Sequence, residues 1–231
     1  MSSCVVLFSG GLDSTTALYW ARKSYGRLEA LTFDYGQRHR VEVVLAARTA
    51  SRLGLKSFVL AVDLAAVGAS ALTDPSIPVP ELDALPGDAP LPSATYVPFR
   101  NGVFLSLAAA WAEARGIGDI VCGFNTLDSP DYPDTRSEFV RAMEQAVRLG
   151  TKAGARGAAP RIIAPFLNLK KSAIIRLGLE LQADYSQSVS CYRGEEVPCG
   201  RCTACLLRRR AFEEAGRPDP LLLRLEKEGK I

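Results

Sequence analysis

Residues 4–18, CVVLFSGGLDSTTAL, restrict what this chain can fold into more than any other stretch. Cys4 to Phe8 is a β-branched and aromatic run of the length a central parallel strand needs, and Ser14 to Trp20 can begin a helix capped by Asp13 or Ser14. Ser9, Gly10 and Gly11 lie between them. A strand, a glycine-rich turn and a helix start therefore meet at one point. Such a turn aims unpaired backbone N–H groups, the positive end of a helix dipole and several hydroxyls at one place, which is an environment for a phosphate oxygen. A tight turn with a capping acid and no ligand is the alternative, but two glycines, two serines and an acid exceed what a turn requires.

The type of cradle decides what it holds. A G-x-x-x-x-G-K-[ST] loop needs a lysine that reaches the terminal phosphates, and a dinucleotide site needs G-x-G-x-x-G; the residues after Phe8 supply neither. The spacing S-G-G-x-D-S resembles the PP-loop of the ATP pyrophosphatases, which grip the pyrophosphate of ATP while a substrate oxygen attacks the α-phosphate. The resemblance implies that Ser9, Gly10, Gly11 and Ser14 hold the pyrophosphate. It implies that Asp13 holds Mg²⁺ or orders the loop, and that the nucleotide pocket extends over Phe8, Leu12, Thr15, Thr16, Ala17 and Leu18.

Strand and helix alternate beyond this point. Leu28 to Asp34, Ser57 to Val62 and Asp119 to Gly123 read as strands, with Ile162-Ile163 as part of a short fifth. Arg38 to Leu53, Arg100 to Arg115 and Asp134 to Leu149 read as helices. Alternation of this kind predicts an α/β fold, a Rossmann-like parallel sheet of about five strands flanked by helices. Residues 74–98 carry seven prolines, which favours an ordered irregular excursion or a mobile lid. From Asn168 onward the sequence turns helical and then cysteine-rich. We therefore divide the chain into an ATP-binding α/β domain over 1–166 and a C-terminal helical, zinc-binding extension over 167–231.

With 231 residues, 48% of them hydrophobic, the chain can bury a sizeable core. A balance of 28 basic against 25 acidic residues gives no electrostatic case for a nucleic-acid or membrane surface, and the short Arg208-Arg209-Arg210 run reads as a solvated helix face. No charged n-region precedes a cleavage site and no apolar stretch reaches about 18 residues, so a cytoplasmic protein is expected.

The second strong signal is CYRGEEVPCGRCTAC, residues 191–205. Cys191, Cys199, Cys202 and Cys205 give C-x7-C-x2-C-x2-C, and a cytoplasmic chain has little use for disulfides among them. Four thiolates suit tetrahedral zinc, with backbone N–H groups bonding the sulfurs and Gly200 easing the first turn. An iron–sulfur cluster and a redox dithiol are the rivals. A closed site of four cysteines leaves no open coordination position, so its expected role is structural. Cys4 and Cys122 remain, both expected as small buried hydrophobes.

The two signals combine with FDYGQRHRVE, YVPFRN, YPDTRSEF, GTKAG and SCY, and together these segments resemble the 7-cyano-7-deazaguanine synthases of queuosine-precursor biosynthesis. The likeness runs from residue 4 to about 210. It implies a carbon–nitrogen ligase that converts 7-carboxy-7-deazaguanine and ammonia into the nitrile with ATP and Mg²⁺, and a homodimer with one zinc per subunit. The near-neutral charge balance leads us to expect no nucleic-acid or membrane partner. Adenylylation makes chemical sense, since a carboxylate would have to expel oxide whereas its adenylate expels AMP; a second activation, of the amide oxygen, leaves a nitrile.

Arg100 and Asn101, where a helix begins, can meet phosphate or the substrate carboxylate, or simply cap that helix. Asp128, Tyr132, Asp134 and Arg136 suit a purine-like edge, with acids accepting from N–H groups and Tyr132 stacking; a turn capping the next helix through Asp134 is the alternative. His39, the one histidine, reads as a proton shuttle or as a tie between loop and helix. The loop at 123–136 departs from the family pattern, with Pro130-Asp131 where Ser-Gly is usual and Thr135 where Cys is usual. Two other functions stay open: a related ligase that adenylylates a different acceptor such as a tRNA base, and a zinc-stabilised nucleotide-binding protein without catalysis.

Overall fold

The computed structural model describes residues 2–83, 85, 93–127 and 132–231. Strands β1 (Ser3–Leu7), β2 (Arg27–Asp34), β3 (Lys56–Ala61), β4 (Asp119–Val121) and β5 (Arg161–Ile163) form one sheet. The strand order is β3-β2-β1-β4-β5, and every pairing is parallel. The expected strands are all present, displaced by a residue or two at their ends. Eight α-helices are described: α1 (Leu12–Ser24), α2 (Val41–Arg52), α3 (Arg100–Arg115), α4 (Ser137–Gly150), α5 (Lys152–Ala155), α6 (Lys171–Glu180), α7 (Thr203–Ala215) and α8 (Pro220–Lys227).

β1 is apolar throughout its centre because it is covered on both faces. Cys4, Val6 and Phe8 turn to one layer, where they pack with Ala17, Leu18 and Ala21 of α1, Ala46 and Ala50 of α2, and Ile174 of α6. Val5 turns to the other, with Leu105, Ala108 and Ala112 of α3 and Val140 and Val147 of α4. The chain thus leaves β1 toward β2 and β3 with helices on one face, and reaches β4 and β5 with helices on the other. That reversal puts a topological switch between β1 and β4, where such sheets open a crevice at the carboxyl ends of their strands.

The amino edge of the sheet is closed by ion pairs. Arg161 grips Asp119 through two hydrogen bonds of 2.7 and 2.8 Å, and the Tyr25 hydroxyl donates to the same carboxylate at 2.9 Å. Glu29 on β2 accepts from Arg27 at 2.9 Å and from the Trp111 indole at 3.0 Å.

Several expectations need correction. α1 begins at Leu12, with Gly11 as its N-cap and no capping side chain, because Ser14 Oγ turns back to the Gly11 carbonyl and Asp13 turns away to Lys171. α2 begins at Val41 rather than Arg38; the Arg38 guanidinium reaches across to the carbonyls of Asp74 and Ile77. Residues Pro133–Thr135 form a 3₁₀ turn before α4, which starts at Ser137.

Arg208 is not a solvated helix residue. It is 3% exposed and holds Asp219 at 2.5 and 2.7 Å while donating to the carbonyl and hydroxyl of Ser188. This ties α7, α8 and the segment before Cys191 together. Cys4 and Cys122 are buried as expected, and burial pushes both thiols up to about 12. Among the described residues no helix is long and apolar enough to cross a membrane.

Candidate functional site

A cavity of about 290 Å³ opens at the carboxyl edge of the sheet, over the switch between β1 and β4. Phe8, Ser9, Gly11, Leu12, Asp13 and Ser14 form one side of it. The turn is held by Ser9 Oγ, which lies 3.0 Å from Ser14 Oγ and accepts from the Gly11 N–H at 3.3 Å. Gly10 has φ +87°, and a Cβ there would stand 2.8 Å from the Glu42 carbonyl of α2. Only glycine lets the chain reverse this close to the neighbouring helix. From the other flank Gly123 allows the end of β4 to press on the first turn of α1, since a Cβ would meet the Asp13 carbonyl at 2.8 Å.

Not every residue of the expected nucleotide stretch reaches the cavity. Thr16 hydrogen-bonds Tyr185 at 2.6 Å, while Ala17 and Leu18 are fully buried among strand and helix side chains; these three and Thr15 stand behind the wall. Helical geometry explains this, because only the first turn of α1 presents its N–H groups and side chains to the cavity.

Asp13 receives Lys171 Nζ at 2.7 Å on Oδ2, and its Oδ1 is buried without a hydrogen-bond partner among the described residues. Lys171, the first residue of α6, lies in the cavity wall. Sequence reasoning passed over it; a lysine opening a helix far along the chain carries no local signal, and only the packing of α6 on α1 brings it to Asp13. An orphaned buried carboxylate oxygen beside the open N–H groups of a helix start fits a divalent cation with oxygen ligands.

The opposite wall comes from β2, α3 and the segment before α4. Arg100 opens α3 and donates to the Tyr35 hydroxyl at 3.4 Å, with its guanidinium 5.9 Å from the centre of that ring. Asn101 lines the cavity, but its side chain is spent on the Asp134 carbonyl at 3.3 Å. Asp134 is buried and accepts from the Asn101 N–H at 3.0 Å, so it caps the start of α3 rather than α4 and does not line the cavity. Tyr132 and Thr135 do line it, and Tyr132 shares a 2.9 Å hydrogen bond with Thr95. Arg136 is exposed and outside the lining. Asp128, like Pro130 and Asp131, lies outside the described residues.

His39 is buried in the wall, with Nε2 3.4 Å from Glu42 and 3.5 Å from the Tyr35 hydroxyl. Burial pushes Tyr35 up to about 12, so it enters the network as a neutral hydroxyl. Tyr35, Glu42, Phe33, Phe104, Ser190 and Tyr192 belong to the lining too. Tyr35 and Tyr192 stand inside the DYGQRH and SCY segments, and that was the one signal available for them.

The four cysteines come together as their spacing predicts, with ligand atoms all within 4.8 Å of one another. A tetrahedral site with metal–sulfur bonds of about 2.3 Å has edges of about 3.8 Å. Cys199 and Cys205 sulfurs are 3.9 Å apart, and Cys202 and Cys205 sulfurs 3.5 Å. The N–H groups of Cys199 and Cys202 point at the sulfurs of Cys191 and Cys199 at 3.4 and 3.3 Å, and Gly200 turns with φ +73°. Hydrogen bonds with Cys191 and Cys205 pull Cys202 down to about 3, while hydrogen bonds with Cys191 and Cys202 push Cys205 up. Four thiols gathered at this spacing are a donor set for a metal such as zinc.

This cluster is not remote from the cavity. Val189, Ser190 and Tyr192 flank Cys191, Ala204 and Leu207 flank Cys205, and all five line the wall. The same segment fastens the start of the Pro-rich excursion: Leu82 N–H donates to the Arg201 carbonyl at 2.9 Å, and Glu81 pairs with Arg193 and Arg201.

Known proteins agree with this architecture. A 4-thiouridine synthetase solved with RNA and ATP superposes with a TM-score of 0.51 at 20% identity, covering 99% of this chain and 53% of its own, which shows a shared fold. Much nearer in sequence is a 7-cyano-7-deazaguanine synthase from Thiobacillus denitrificans, 50% identical over 224 residues that cover 95% of this chain and 98% of the relative. A 7-cyano-7-deazaguanine synthase from Thermoplasma acidophilum is 46% identical over 218 residues, covering 94% and 90%. The sequence model of the queuosine biosynthesis protein QueC matches residues 3–216, and the chain belongs to that family.

Proposed function

We propose that this protein converts 7-carboxy-7-deazaguanine and ammonia into 7-cyano-7-deazaguanine, driven by ATP, through adenylylated intermediates. The observation that carries the reading is the convergence of the Ser9–Ser14 loop, the Asp13–Lys171 pair and Arg100 on one cavity, in a chain that shares about half its residues with synthases of that name over nearly its whole length. Relatives named as synthases support an enzyme; the ligase chemistry is our extension of that.

The first turn of α1 would receive the phosphates on the N–H groups of Leu12, Asp13 and Ser14 and on the hydroxyls of Ser9 and Ser14. Lys171 would follow the pyrophosphate as it leaves, and Asp13 would hold a magnesium ion that neutralises the phosphate chain. The substrate carboxylate attacks the α-phosphorus and pyrophosphate departs. Ammonia displaces AMP from the adenylate and loses a proton, which gives the amide. In the second round the amide oxygen attacks a new ATP, and loss of AMP with both N–H protons leaves the nitrile. Catalysis of this kind is positioning and charge neutralisation. Zinc, one per subunit, is the ion proposed for the four cysteines, where it leaves no open position and pins the wall segment. A cytoplasmic homodimer acting on small molecules, with no nucleic-acid or membrane partner, completes the reading.

The test is incubation with 7-carboxy-7-deazaguanine, ammonium and Mg-ATP, followed by mass spectrometry and assays for AMP and pyrophosphate. Amide followed by nitrile, with one AMP and one pyrophosphate per activation, is the expected result. Accumulated amide without nitrile would limit this chain to one activation. ADP and orthophosphate in place of AMP and pyrophosphate would overturn the α-phosphate assignment.

A further inference from the structure

Two acidic partners must meet in this cavity, and only one of them has a cradle assigned. The Ser9–Ser14 loop and Lys171 account for the nucleotide phosphates. Across the cavity stands a second cation, Arg100, at the first position of a 16-residue helix whose N-cap residue, Phe99, makes no side-chain capping hydrogen bond. Among the described residues its single hydrogen bond runs to the neutral Tyr35 hydroxyl, and none of their carboxylates forms an ion pair with it. A guanidinium carries five N–H donors and keeps its charge at any working pH, so four donors of this cavity-lining residue have no acceptor among the described residues. The neighbouring carboxylate, Asp134, is turned to the Asn101 N–H, and the Asn101 amide is occupied by the Asp134 carbonyl. Tyr35 holds the guanidinium both by its hydroxyl and under its ring, which fixes the direction of the fork.

We propose that Arg100 is the specificity-determining residue that grips the carboxylate of the substrate and makes the first activation selective for an acid over an amide. The inference rests on the substrate reading given above. A carboxylate offers two acceptor oxygens in the spacing of the guanidinium fork, and the pair is charge-assisted. A primary amide offers one oxygen, and its NH₂ group meets the guanidinium donors head-on. The acid is therefore held by Arg100 while it is activated. Once converted to the amide, the same group is released from that grip, and its oxygen can turn toward the second nucleotide.

Isothermal titration calorimetry with 7-carboxy-7-deazaguanine and with its primary amide, both without ATP, tests this on wild type, Arg100→Gln and Arg100→Lys. Arg100→Gln is expected to lose roughly 10- to 100-fold in affinity for the acid and at least tenfold less for the amide, with Arg100→Lys between it and wild type. In steady-state assays kcat/KM for acid to amide should fall by a similar factor, while amide to nitrile falls much less. Equal losses for both compounds, or none for either, would overturn the role of Arg100 and leave the substrate reading standing. A wild type that binds neither compound would remove both. Should Arg100→Gln not fold, the Arg100→Lys comparison decides alone, because a lysine keeps the charge but lacks the fork.

Discussion

Replacing Gly123 by alanine tests whether the first turn of α1 is the working surface of this protein. The new Cβ would stand 2.8 Å from the carbonyl carbon and oxygen of Asp13 and 3.0 Å from the Ser14 nitrogen, whereas ordinary contact begins at 3.4 Å. All three atoms are backbone, so no side chain can swing aside; β4 and α1 must separate by about 0.6 Å. Overpacking of this size costs about 1–3 kcal/mol, which lowers Tm by several degrees in a chain of this length. The effect on turnover should be larger than that destabilisation explains, because a misplacement of about 1 Å at reacting groups costs about 10²-fold. Initial rates of pyrophosphate release with ATP varied, measured well below Tm, should show kcat/KM for ATP reduced by roughly 10- to 100-fold. Gly118→Ala is the control, since its Cβ would find only the Ser3 carbonyl at 3.9 Å. A Gly123→Ala protein with kcat/KM within twofold of that control would refute the placement of the nucleotide against this turn.

Three further outcomes are expected. Asp13→Asn should lower turnover by about 10²–10³-fold in a folded protein, since it removes one charged group at a phosphoryl site; circular dichroism and product assays check both halves. Cys202→Ser should purify with little metal, melt at lower temperature, and show faster amide exchange at 189–207 and at 74–83, because the cysteine segment fastens both. Arg208→Met leaves Asp219 buried without its partner and should cost about 3–5 kcal/mol, read by denaturant titration, while activity per folded molecule changes little.

The sheet was legible because its strands are short apolar runs bounded by glycine or by helical periodicity, and buried parallel strands have no other way to look. The cysteine cluster was legible because its ligands fall within 15 residues of sequence. What escaped depended on distant segments meeting. Arg208 lies in a run of three arginines, and nothing local distinguishes the one that packs inward on Asp219 from the two that face water. Asp134 sits where it could cap the helix that follows, yet the start of α3 is the nearer orphan and takes it. Lys171 meets Asp13 across 158 residues of chain. Local patterns report elements, while a site built at a topological switch is assembled from four or five of them.

The charges around the cavity bear on what must enter with the nucleotide. Lys171 and Arg100 contribute two positive groups, and the start of α1 adds about half a charge. Among the described residues, Asp13 and Glu42 in the lining and Asp134 behind it contribute three carboxylates. The described residues thus give no surplus of positive charge against a nucleotide carrying several negative charges and a substrate carrying one more. Two like charges about 4 Å apart at an effective dielectric of about 20 repel by about 4 kcal/mol, which is about 10³-fold in rate. A divalent cation supplies the missing charge, and the orphaned Oδ1 of Asp13 is the buried oxygen suited to meet it. Turnover should therefore be lost when magnesium is removed, while Lys171→Gln, which frees the second oxygen of Asp13 but subtracts a cation from the phosphates, should keep the metal requirement and lower kcat. A Lys171→Gln protein as fast as wild type would mean that this lysine never faces the nucleotide.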